Sequence, residues 1–187
     1  MNILLLSGSL RKISYSDALL HLVSDLLQQE KHHSQTYNIG ALPFYSDQLP
    51  KEQIALVEEF NEIVRQTEAI IFITPEYNHS VPAVLKNAID VASRPAFISP
   101  LRDKAVTFIT QSNNSLGGSR AQEHLKLILD STLSLIFPAR ELMIKDCHSK
   151  FSSEMVCQDD KLITSVSNHV NNFIKWAQTI KRVGEFD

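Results

Sequence analysis

The run Ala69-Ile70-Ile71-Phe72-Ile73 constrains the fold of this chain more than any other segment. Five apolar residues without a polar interruption read as a strand buried on both faces, and such strands belong to parallel sheets covered by helices. A polar loop follows, Pro75-Glu76-Tyr77-Asn78-His79-Ser80-Val81-Pro82, and then a stretch of helical spacing up to Arg94. Parallel α/β sheets bind their ligands in such loops, at the carboxyl ends of strands. Tyr77 and Asn78 offer a flat π-surface and an amide, which suit a planar, hydrogen-bonding heterocycle.

The same alternation runs through the chain, short apolar runs giving way to longer helical patterns. Asn2–Ser7 reads as strand one, and the helix after it runs from Ser16 to Gln29 with Leu19, Leu20, Val23, Leu26 and Leu27 inward. Ser16 is the expected cap of that helix, and Asp17 suits the positive end of its dipole. Gln35–Ile39 is a weak second strand; Lys51–Gln66 is a helix with Ile54, Val57, Phe60, Ile63 and Val64 as its inner stripe. Ala69–Thr74 is strand three and Pro82–Ser93 a helix that Arg94-Pro95 ends. Ala105–Thr110 is strand four, and Ser119–Ser131 a helix. Leu133–Phe137 or Glu141–Ile144 supplies strand five, with Pro138 breaking it, and a last helix covers Asp159–Lys181 with Leu162, Val166, Val170, Phe173, Ile174 and Ala177 inward. The expected fold is a single α/β domain over residues 1–187: a doubly wound, five-stranded parallel sheet of flavodoxin-like order 2-1-3-4-5.

A formal charge of -3 and the absence of a dense basic run argue against nucleic-acid binding. No apolar stretch approaches the roughly 18–20 residues that span a bilayer. Met1–Leu6 lacks the basic start of a signal peptide and reads as a strand. Cys147 and Cys157 lie ten apart, which is neither a redox CxxC nor a zinc spacing, so both are expected to be reduced thiols in a cytoplasmic protein.

The loop after strand one, Ser7 to Ser16, is rich in hydroxyls, carries Arg11 and Lys12, and precedes a helix. Helix N-termini bind anions through unpaired N–H groups, and a guanidinium can fork onto phosphate oxygens. A merely capped turn would look similar, and Asp17 is a charge that phosphate would avoid. The loop is no P-loop, and with Gly8 alone it is no dinucleotide GxGxxG fingerprint. A third loop, Gln111–Gly118, brings amides, hydroxyls and two glycines before another helix. One loop suited to an anion and one to an aromatic ring together suggest a mononucleotide such as FMN.

These motifs resemble a known family. Gly8-Ser9-Leu10-Arg11-Lys12-Ile13-Ser14-Tyr15-Ser16 is similar to the GSLRxxS(F/Y)N loop of the NADPH-dependent FMN reductases. Pro75 to Pro82, followed by Leu85-Lys86-Asn87-Ala88-Ile89-Asp90, resembles their PEYNxSxPxxLKNAID block, and Gly117-Gly118 with Arg120-Ala121 their third loop. The chain departs from the pattern at Ser16, where asparagine is usual, at Val91, where tryptophan is common, and over Gln111–Ser115. The resemblance implies that Ser9, Arg11, Ser14, Tyr15 and Ser16 hold the FMN phosphate end. Pro75, Glu76, Tyr77 and Asn78 would line the isoalloxazine, with Ser112 and Gly117 closing its other side. It implies an oxidoreductase that passes hydride from NADPH or NADH to flavin N5 and on to a small acceptor: quinone, azo compound, flavin or chromate. A ping-pong order, a homodimer or tetramer, and no catalytic side chain or metal ligand complete that expectation. Helix three, with Leu85, Ile89 and Val91 spread around it, and its flanks are the expected dimer face near the flavin, where Arg94 is placed to meet an acid across a twofold axis. A phosphoacceptor receiver module would share the fold but needs acids where this chain has Ser7-Gly8-Ser9. An FMN-binding electron carrier or sensor without NAD(P)H turnover is the alternative reading.

Overall fold

Strand β1 (Asn2–Ser7) shows why an apolar run is needed here. Ile3 and Leu5 point into one core while Leu4 and Leu6 point into the other, so successive residues are buried on opposite faces. The structure is a computed structural model that describes residues 1–183. Its remaining strands are β2 (His33–Thr36), β3 (Ala69–Pro75), β4 (Ala105–Gln111), β5 (Leu135–Ile136) and β6 (Leu142–Ile144). They form one parallel sheet of order β2-β1-β3-β4-β5, the expected flavodoxin-like order, with β6 also paired to β4.

The fifth position is one strand in two pieces. Leu135 pairs beside Ala105 and Leu142 beside Ile109, so β5 and β6 follow the same edge of β4. Pro138 lies between them, and a residue without an N–H cannot continue a ladder. Both segments suggested by the sequence are therefore used.

Helices α1 (Tyr15–Gln29) and α5 (Asp160–Val183) cover one face. Helices α2 (Lys51–Gln66), α3 (Ala83–Ala92) and α4 (Ser119–Ser131) cover the other. The inward stripes read for α1 and α5 are packed as expected. On α2 the stripe is shorter: Phe60 and Val64 are buried, Val57 and Ile63 partly so, and Ile54 is exposed. Among the described residues, no helix is long and apolar enough to cross a membrane.

Three expectations need correction. Strand β2 occupies His33–Thr36 rather than Gln35–Ile39, because the Asn38 side chain accepts the Gly40 N–H and turns Ile39–Ala41 into a 3-10 helix. Helix α1 is capped by Ser14, whose hydroxyl accepts the Asp17 N–H at 3.1 Å; Ser16 lies inside the helix. Finally, Leu85, Ile89 and Val91 are all buried within this chain's own core, so α3 has no spare apolar face for a second subunit. Within the chain the Arg94 guanidinium sits 5.2 Å from the centroid of the Tyr45 ring.

Candidate active site

Sheet register gathers three loops at one edge. Ser7 pairs beside Ile73, and Pro75 beside Gln111, so the loops after β1, β3 and β4 leave the sheet as neighbours. Gly8 makes this possible. Its N–H continues the ladder to the Ile73 carbonyl at 2.8 Å, and a Cβ there would lie 2.1 Å from Thr74 Oγ1. No side chain fits at that approach.

The first loop is internally braced. The Ser7 hydroxyl donates to Asp17 Oδ1 at 2.6 Å, the Ser9 N–H donates to Ser7 Oγ, and the Arg11 N–H donates to Ser9 Oγ, both at 3.3 Å. Asp17, a charge that phosphate would avoid, is thus held by Ser7. Ser9, Ser14 and Ser16 are buried while Arg11 and Lys12 are exposed. Among the described residues, the main-chain N–H groups of Lys12, Ile13, Tyr15 and Ser16 find no acceptor, and neither cation meets an acid. Free donors beside unpaired cations at a helix start form an anion-attracting surface.

The eleven residues read from the sequence are brought to this edge in different ways. The Ser14 hydroxyl is spent on the helix cap. Tyr15 packs its ring on Phe151, centroids 5.4 Å apart, so it holds the loop to the segment after β6. The Ser16 hydroxyl accepts from Gln111 Nε2 at 3.2 Å in a fully buried contact, tying α1 to the end of β4. What Ser16 offers a ligand is its N–H. Pro75 is the last residue of β3.

Glu76 is not open to a ring through its side chain. Its carboxylate is 5% exposed, accepts the N–H groups of Arg120 at 3.0 Å and Ala121 at 3.3 Å, and pairs with the Arg120 guanidinium. It caps α4 from a distant loop, where a negative charge meets the positive end of the dipole. Tyr77 and Ser80 then exchange main-chain bonds of 2.9 and 3.0 Å around Asn78 and His79. Both central residues have positive φ, 48° and 63°, which makes a tight turn of the mirror-image type I class. The turn leaves the Tyr77 ring partly exposed at the loop tip.

The third loop is fixed rather than open. Ser112 donates its N–H to the Ile144 carbonyl at 2.9 Å and accepts the Cys147 N–H at 3.3 Å. Asn114 Oδ1 accepts from Leu116 and Gly117. Gly117 and Gly118 take φ of 63° and 83°, and the Gly117 carbonyl accepts the Thr110 hydroxyl at 2.9 Å. Beneath it, burial pushes the Cys147 thiol up to about 11, so it stays protonated and is no nucleophile.

Sequence reading missed two features. Gln111 bridges to Ser16 across 95 residues, and His124 Nδ1 stands 2.7 Å from the Ser80 hydroxyl. Neither carries a local signal, since each depends on two loops meeting. Together Tyr77, Asn78, Ser80, Val81, His124 and Leu127 line much of a groove of about 700 Å³ between the second loop and α4.

Comparison with known proteins follows this geometry. Residues 1–149 match the family model described as NADPH-dependent FMN reductase. The chain is 32% identical to an NAD(P)H-dependent FMN reductase of Pseudomonas aeruginosa, over 97% of each chain. It is 34% identical to a quinone reductase of Escherichia coli, over 76% of this chain and 77% of that one. Among solved structures, a flavoenzyme NAD(P)H:(acceptor) oxidoreductase from Paracoccus denitrificans superposes with a TM-score of 0.81 at 27% identity, covering 95% of this chain and 97% of that one.

Because Glu76 joins the second loop to α4, Glu76→Ala is expected to destabilise the protein by about 1–2 kcal/mol, the usual loss when a cap is removed. Urea unfolding of the two proteins measures this; equal midpoints would show that the α4 cap contributes nothing.

Proposed function

The chain belongs to the NADPH-dependent FMN reductase family, and from that premise we propose that it oxidises NAD(P)H and reduces a small aromatic acceptor such as a quinone, in ping-pong order. It is an oxidoreductase with FMN as cofactor and NAD(P)H as co-substrate. The observation that supports FMN binding is the first loop, where among the described residues the N–H groups of Lys12, Ile13, Tyr15 and Ser16 find no acceptor and Arg11 forms no ion pair.

That donor set fits a phosphate. Four N–H groups and a guanidinium supply the hydrogen bonds that a dianion needs, and the helix dipole of α1 adds to their field. The ring end fits as well. Tyr77 offers an aromatic surface, and the firmly bonded Ser112–Gly117 loop offers main-chain groups across from it. When bound, FMN supplies the centre that takes hydride from the nicotinamide and gives it to the acceptor. The residues of the chain orient that chemistry. Arg11 and the N–H groups of loop one would hold the phosphate end. Asp17 and Glu76, two acids at this edge, are hydrogen-bonded by Ser7 and by the start of α4. If nicotinamide and acceptor were to occupy one site in turn, a ping-pong order would follow.

We also propose a homodimer, with its apolar contact on the flank that follows α3 rather than on the buried Leu85, Ile89 and Val91. Phe97 and Ile98, 74% and 73% exposed, follow that helix, and Phe97 shares a cavity of about 290 Å³ with Leu133, itself 44% exposed. Lys86, Asp90, Arg94 and Thr132 share that hollow, and exposed apolar side chains beside it are a patch that a second copy can cover across a twofold axis.

Two measurements check these readings. The purified protein is expected to be yellow and to bleach when NADPH or NADH is added, with colour returning on addition of a quinone. Colour that persists under NAD(P)H would favour an FMN-binding electron carrier instead. Light scattering at micromolar concentration is expected to give twice the 21.1 kDa chain mass, falling to one chain mass in Phe97→Asp. A wild-type monomer would defeat the dimer.

A further inference from the structure

We propose that His124 donates the proton that an aromatic acceptor takes up as it is reduced, from the groove between the loop after β3 and helix α4. The proposal rests on the reductase reading above and names the acceptor's seat and its acid.

Four observations converge on this residue. The groove, at about 700 Å³, has twice the volume of the cleft of about 350 Å³ beside loop one, and Val81, Ala83, Leu127 and Ile128 make its walls apolar. Apolar walls with a few polar groups are what a flat aromatic ligand requires. Tyr77 and Asn78, the residues assigned to the ring site, also line the groove. Lys86 also lines it, yet its ammonium is committed to both oxygens of Asp90 at 2.7 Å. His124 remains, with Nδ1 held 2.7 Å from the Ser80 hydroxyl and the ring exposed to solvent.

The chemistry balances as follows. Reduction of a quinone to a hydroquinone consumes one hydride and one proton. The hydride, with both electrons, comes from the NAD(P)H-reduced cofactor. The proton moves from Nε2 of the His124 imidazolium to the quinone oxygen, an O–H bond forming as the N–H bond breaks. The ring that remains is neutral with its proton on Nδ1, where Ser80 Oγ accepts it. Exposure lets water return a proton to Nε2 between turnovers. Ser80 is thus a positioning residue that fixes which nitrogen exchanges.

The test compares a quinone with ferricyanide, which takes electrons without protons. His124→Phe is expected to lower the ratio of quinone to ferricyanide turnover on the order of a hundredfold, the usual contribution of a positioned acid. Ser80→Ala should lower the same ratio less, and added imidazole should restore quinone turnover to His124→Ala. A readout independent of turnover is the His124 ring signal in NMR, expected to shift when a hydroquinone is added to the protein as purified. An unchanged ratio in His124→Phe, or a ring signal that does not move, overturns the proposal. Wild-type protein that NAD(P)H fails to bleach would instead defeat the reductase reading, and the ring signal alone would then decide for or against this site.

Discussion

The parallel pairing of β3 with β1 on one side and β4 on the other determines everything at the ligand-binding edge. It sets Ser7 beside Ile73 and Pro75 beside Gln111, so three loops emerge within adjacent strand spacings of roughly 5 Å. A slip of one residue would turn each strand's inward side chains to the other face, which two covered faces forbid. The contact of Gly8 with Thr74 sharpens this constraint, because loop one can leave β1 at that point only without a side chain. Once the register is set, the helices behind the loops deliver their N-termini to the same edge.

Charge is then divided between cations left open and acids put to use. Among the described residues, Arg11 and Lys12 are exposed and form no ion pair, whereas Asp17 is anchored on Ser7 and Glu76 on the start of α4. The arrangement gives an anion one side of the edge to bind. It also makes Glu76 a structural tie between the second loop and α4, the two elements that form the groove around His124. The chain's own departures from the family pattern follow the same logic. Ser16 and Gln111 are hydrogen-bonded to each other, so a shorter side chain on α1 is matched by a longer one at the end of β4.

Much of the fold was legible in the sequence because both faces of the sheet are covered. Continuous apolar runs located β1, β3 and β4, and the bounds of α2 and α4 fall where helical spacing places them. The edge strand β2 was shifted, since four residues suffice at an edge and Asn38 ends it through a side-chain bond that a pattern does not reveal. Choosing Ser16 over Ser14 as a cap failed for a similar reason: both types are right, and only geometry selects one. The role of Glu76 was hidden because its partners lie 44 and 45 residues away. On α3, sequence counts apolar positions but not what covers them; packed beside α2 over the sheet, the helix is enclosed by its own chain.

The central claim is that loop one, with Arg11 at its tip, holds the phosphate of FMN. Riboflavin shares the ring and lacks that phosphate, so paired titrations of FMN and riboflavin against wild type and Arg11→Ala isolate the contact. The account predicts that FMN binds far more tightly than riboflavin to the wild type. In Arg11→Ala the gap should shrink by about tenfold to a hundredfold, the loss of a charge-assisted hydrogen bond of roughly 1.5–3 kcal/mol, while riboflavin affinity stays the same. An FMN affinity unaffected by the substitution, or one that falls equally for both ligands, would contradict it.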